Sequence, residues 1–160
     1  MSTTSAFGTA HVPSIIPVLN PLIRRLLGRG LPFGPNVLLT VRGRSSGRLH
    51  TFPVAILEHG GRKYIQSPFG EVNWVRNLRA SAGAVITKGG DREDVEAVEL
   101  EPGTAGPIFR DALAPYRRSR MLRPIVDRYF HIGDNTTTAD YVAHARAHPM
   151  FELRRRTTGG

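Results

Sequence analysis

The sequence predicts an α+β domain, a small barrel or curled sheet of five to six mostly antiparallel strands with peripheral helices. Two Gly-Gly pairs, Gly60-Gly61 and Gly89-Gly90, each join two β-rich runs, which is the chemistry of tight hairpins. Beyond Pro102-Gly103 the apolar spacing changes to a helical period. A chain of 160 residues is one domain with room for a buried core. Residues 1–35 form an N-terminal arm, 36–101 the barrel core, and 102–160 helices with a final strand.

The elements follow in order. Residues 15–28, IIPVLNPLIRRLLG, read as an amphipathic helix broken by Pro17 and Pro21 and ended at Gly28. It covers one side of the core, with weak membrane-surface contact as the alternative. NVLLTVR (36–42) is the first strand. LHTFPVAILE (49–58) is the second, where Pro53 marks an edge or a bulge. RKYIQS (62–67) completes the first hairpin. In 70–81, Val72, Val75 and Leu78 have helical spacing. The second hairpin joins 84–88 to 94–101, where Val95 and Ala97 alternate with Glu96. Helical patterns cover 104–116, 119–130 and 137–148, the last opened by a capping box of Thr137 and Asp140. Residues 149–155 are the final strand.

Charge narrows the partners. The chain carries 22 basic and 13 acidic residues, a formal +9, and 20 of the basic ones are arginine. Residues 1–90 hold 11 basic and 2 acidic side chains; residues 91–101 hold 1 and 6. The excess accompanies the glycine-containing segment 43–48, which points to an anionic partner there. Few aromatics interleave with the arginines, so no nucleic acid is expected. Cysteine is absent, which excludes disulfides and thiolate metal sites and suits a cytoplasmic protein, with peripheral membrane contact as the alternative. The N-terminus shows no secretory signal, and no run of 18 apolar residues occurs. His144 and His148 have the i, i+4 spacing of a helical metal pair, but no regularly spaced acidic ligand accompanies them and no metal is expected.

The segment RGRSSGRLH (42–50) reads two ways. Gly43, Ser45 and Gly47 satisfy the spacing of a nucleophile elbow, which requires a helix after the serine. A strand follows instead, and the spacing of a Walker loop also fails at Arg48 and Leu49. An anion-binding loop fits: the serines donate, the glycines permit close approach and Arg44 and Arg48 supply charge. A plain polar turn is the alternative that this stretch alone leaves open.

The pattern G-R-x-S-G (43–47), followed by S-x-x-G…W-x-x-N-L (67–78), resembles the deazaflavin-dependent nitroreductase family, split-β-barrel oxidoreductases of actinobacteria that use coenzyme F420. The likeness runs from about Val37 to Glu101, and HPMFEL (148–153) is similar to the family's last strand. The resemblance implies an FMN-binding-like split barrel. It implies that Arg44, Ser45, Ser46, Gly47 and Arg48 hold the cofactor's phosphate and acidic tail. It places His50, Thr51, Phe52, Pro53, Val54 and Ala55 beside the deazaflavin ring. Ile65, Gln66, Ser67 and Pro68 match the strand end under the ring, and Asn73, Trp74 and Asn77 the helix that closes the pocket. Many relatives carry Arg or Lys at the position of His50 and Lys at that of Pro68, and the Gly70–Trp74 segment is shorter here than in nitroimidazole-reducing members.

The implied activity is hydride transfer from reduced F420 to an electron-poor small molecule, an enone, quinone or nitro compound. Ser67 and Tyr116 are the candidate proton donors, with water a third; the alternative for Tyr116 is an aromatic packed at a helix end. An FMN-dependent oxidoreductase of the same fold and a non-catalytic deazaflavin or lipid carrier are the alternatives. The protein is expected as a monomer or homodimer.

Overall fold

Strands β1 (Asn36–Arg42), β2 (Leu49–His59), β3 (Arg62–Gln66), β4 (Gly83–Lys88), β5 (Asp91–Glu99) and β6 (Met150–Arg155) close into one barrel in the order β1-β2-β3-β6-β5-β4. Every neighbouring pair is antiparallel. The computed structural model describes residues 36–67 and 69–157. The expected helix at 15–28 and the role given to Pro68 lie outside those residues.

The expected strands and hairpins are present. Both Gly-Gly pairs have positive φ throughout, Gly60 59° and Gly61 74°, Gly89 58° and Gly90 89°. That conformation matches the twist of the strands on either side, and it pairs His59 with Arg62 and Lys88 with Asp91. The second hairpin is therefore tighter than the sequence suggests, and β5 begins at Asp91 rather than residue 94. The final strand lies between β3 and β5, which closes the sheet on itself.

Alternation along the strands fills the barrel. Val37, Leu39 and Val41 point inward with Val54, Ile56, Ile65, Ile86, Val95, Phe151 and Leu153. Helix α1 (Asn73–Ser81) plugs one end, burying Trp74, Val75 and Leu78 in the same cluster. It starts three residues later than its apolar spacing suggests, because Gly70 has φ +78° and Val72 is extended. Arg79 ties the plug in place: Nη1 reaches Glu71 at 2.8 Å, and Nε and Nη2 grip Glu99 at 2.8 and 2.7 Å. At the opposite mouth, Val37, Ile56 and Ile86 floor an open cavity of about 640 Å³ rimmed by Lys63, Glu93 and Arg155.

A second apolar layer covers the outside of β2, β3 and β6. Helices α2 (Pro102–Arg118), α3 (Arg123–Phe130) and α4 (Thr138–Ala147) pack Phe109, Leu113 and Tyr141 against Leu57, Tyr64 and Met150. Helix α4 carries the expected capping box, with Asp140 N donating to Thr137 Oγ1 and Thr137 N to Asp140 Oδ2. Helices α2 and α4 approach so closely that a Cβ on Gly106 would lie 2.7 Å from the Val142 backbone nitrogen. Backbone cannot yield as a side chain does. Gly106→Ala is therefore expected to destabilise the protein by about 1–3 kcal/mol or more, read as a lower denaturant midpoint at unchanged slope.

Candidate functional site

The turn between β1 and β2 is fixed from within. Gly47, at φ +68°, donates its N–H to Gly43 O at 2.9 Å, and Gly43 N donates to Arg48 O at 2.7 Å. Arg42 Nη1 closes the same turn on Gly47 O at 2.8 Å. Arg48 N donates to Ser46 Oγ at 3.2 Å. The His50 imidazole lies against Gly43, where a Cβ would sit 2.8 Å from Nε2, so a larger residue there would push the exposed His50 ring aside.

The turn is also anchored to the plug. Asn77, buried in α1, accepts at Oδ1 from Arg44 N at 3.2 Å and from Arg44 Nη1 at 2.8 Å. Several groups then face solvent. The N–H groups of Ser45 and Ser46 donate to no described residue, and the Arg48 guanidinium has no described partner. The remaining N–H groups of the Arg44 guanidinium and the serine hydroxyls add to this exposed cationic turn.

Beyond this turn the barrel is split. On one side β2 pairs with β1 from Leu49 to Ala55; on the other it pairs with β3 only from Ile56 to His59. The Leu49–Ala55 stretch thus presents backbone polar groups to an edge that no described strand covers, the setting in which Pro53 is tolerated. His50 and Phe52 stack at its start, ring centroids 6.3 Å apart. Thr51 and Thr40 share a hydroxyl–hydroxyl bond of 2.9 Å across the β1–β2 pair.

The other predicted residues lie in different settings. Val54 and Ile65 point into the core, so they could meet a ligand only through their backbones. Trp74 also faces the barrel interior, 6.2 Å from Phe151 between ring centroids, while Asn73 is exposed at the helix start. Ser67 is 0 % exposed and gives its hydroxyl to Gly70 O at 2.5 Å. Gln66, also buried, has no partner for either amide atom among the described residues. Tyr116 is half-buried against the apolar cluster of the helical layer.

Sequence reasoning missed what His144 and His148 do. Their rings stack 4.1 Å apart, and His148 Nδ1 lies 3.1 Å from Ser67 O. The i, i+4 spacing was visible, but the partner is 81 residues away. His144 is buried, its Nε2 has no partner among the described residues, and its ring lies flat on Phe109 at 5.2 Å. Burial, reinforced by the nearby His148 and His131, pushes its pKa down from 6.5 to about 3. The native state keeps this imidazole neutral, whereas the unfolded chain protonates it below about 6.5. Stability should therefore fall as pH drops from about 6.5 toward 3, by at most about 1.4 kcal/mol per unit. Carboxylates such as Asp127, held low by Arg117, add their own loss only below the ordinary carboxylate range. A His144→Phe variant, which keeps an aromatic ring beside Phe109, should show a flatter melting profile between pH 6.5 and 5.

No match was found among curated proteins. A family model described as F420H(2)-dependent quinone reductase matches residues 23–120. Among solved structures, an F420-H2 dependent reductase (FDR-A) aligns at a TM-score of 0.50 and 21% identity, over 75% of this chain and 94% of that one. A protein solved as a domain-swapped dimer aligns at 0.52 and 20% identity, over 84% and 95%. A Listeria innocua protein named for pyridoxamine 5′-phosphate oxidase aligns at 0.50 and 12% identity, over 86% and 93%. These three share the split-barrel fold. Because the family model spans more than half of its length, the chain belongs to the F420H(2)-dependent quinone reductase family.

Proposed function

We propose that this protein binds reduced F420 along the split of its barrel and uses it to reduce an electron-poor small molecule, of which a quinone is the first to test. The observation that carries the reading is the exposed turn of residues 43–48, whose Ser45 and Ser46 amides and Arg48 guanidinium have no partner among the described residues. Such a donor set suits a phosphodiester with an acidic tail, and the +9 chain favours an anion at long range.

When bound, the coenzyme would supply a hydride equivalent to the acceptor. The protein's share is binding and alignment. Arg44, Ser45, Ser46 and Arg48 would hold the phosphate and tail. The stretch from His50 to Ala55, which β3 does not pair with, would offer backbone N–H and C=O groups to the ring. Gln66 would give its amide, which has no partner among the described residues. Asn73 and Trp74, at the start of α1, and Asn77, through Arg44, would set the far wall. Ser67 has already committed its hydroxyl to Gly70, and Tyr116 packs among helices, so solvent is assigned as the source of the proton.

Anaerobic titration with F420 and with FMN, followed by ring fluorescence, tests the reading. Saturable F420 binding that weakens with added salt, then oxidation of F420H2 on addition of a soluble quinone, supports it. Binding of FMN alone contradicts the cofactor; binding without turnover of quinone, enone or nitro acceptors indicates a carrier.

A further inference from the structure

The split exists because β3 leaves β2 and stays with β6. The β2–β3 register pairs Ile56 with Ile65 and then stops. The β3–β6 register, which pairs Gln66 with Met150, continues one step further, since Ser67 N donates to Pro149 O at 3.0 Å. In an antiparallel ladder the return bond would come from the N–H of residue 149 to Ser67 O. Residue 149 is proline and has no N–H. The His148 side chain takes its place, with Nδ1 3.1 Å from Ser67 O. A carbonyl only accepts, so Nδ1 carries the proton.

The donor is itself held. Its ring stacks on His144 at 4.1 Å and 23°, and His144 lies on Phe109 at 5.2 Å and 3°, a column of three rings running from α2 through α4. The turn after Ser67 rests on the end of the same helix: a Cβ on Gly70 would lie 3.3 Å from Ala147 O.

We propose that His148 is a positioning residue for the reduction: by replacing the missing ladder bond of Pro149 it fixes Ser67 on β6 and so holds β3 away from β2 beyond Ile56, where the coenzyme is read to lie. This rests on the reading that the edge receives F420. Two variants separate the donor from the ring. His148→Phe keeps the stacked ring and loses the N–H; His148→Asn loses the ring and keeps an amide N–H where Nδ1 stood. Oxidised F420 is titrated into wild type and both variants, with melting temperature measured alongside.

A buried carbonyl left without its donor is a sizeable penalty, so His148→Phe should bind F420 about tenfold more weakly or worse, and His148→Asn near wild type. Equal affinity in the Phe variant overturns the proposal. So does a loss in the Asn variant that matches the Phe variant at wild-type melting temperature. If the Phe variant does not fold, the Asn variant decides alone: wild-type affinity supports the assignment and a tenfold loss overturns it. Wild type that binds no F420 overturns the functional reading, and this inference with it.

Discussion

Arg48→Ala should weaken F420 binding by about tenfold to a hundredfold and leave the melting temperature unchanged. The range follows from about 1.5–3 kcal/mol for a hydrogen bond to a charged group, at about 1.4 kcal/mol per factor of ten. Stability should hold because the Arg48 side chain has no described partner, while the backbone bonds of the turn survive the change. Arg44→Ala should behave differently. Its guanidinium donates to Asn77 Oδ1, which is buried, so removing it leaves that oxygen with the Arg44 amide alone. Affinity and melting temperature should fall together. Isothermal titration of both variants beside thermal melts gives the comparison. Arg48→Lys should recover charge but only part of the affinity, since an ammonium cannot make paired parallel bonds.

Trp74→Ala should lower stability by about 3–5 kcal/mol. Trp74 is 7 % exposed and closes one end of the barrel against Phe151. Its removal would open a void under α1, and Arg79, clamped to Glu71 and Glu99, restrains the helix from collapsing into it. For a protein of this length the loss corresponds to a fall of roughly 6–20 °C in Tm. Cofactor affinity should fall as well, because α1 carries the Asn77 that orders Arg44. A Trp74→Phe variant, which refills most of the space, should recover most of both. Chemical denaturation followed by circular dichroism reads the first effect and F420 titration the second.

Local chemistry made the barrel's parts legible. Gly60-Gly61 and Gly89-Gly90 declare their hairpins within four residues, and Thr137 with Asp140 declares a helix start, since each depends only on near neighbours. The glycine and arginine pattern likewise marked 43–48 as a candidate anion loop. Contacts between distant residues were not legible. Nothing in LHTFPVAILE says that β3 leaves it after Ile56, because the contacts that hold the end of β3, Pro149 O and the His148 ring on Ser67, come from residues more than 80 positions away. The Arg44–Asn77 anchor spans 33 residues and joins two motifs that the sequence offers separately. Trp74 was legible as a residue near the candidate site but not in orientation, since its helical spacing with Leu78 fits either a lid facing a ligand or a plug facing the core.

The most direct measurement is a crystal structure of the protein with oxidised F420. The account predicts the phosphodiester within hydrogen-bond distance of the Ser45 and Ser46 amides and the Arg48 guanidinium, with the ring lying along the stretch of β2 from His50 to Ala55 that β3 leaves. Electron density for the coenzyme at the other mouth of the barrel, in the cavity rimmed by Lys63, Glu93 and Arg155, would contradict it.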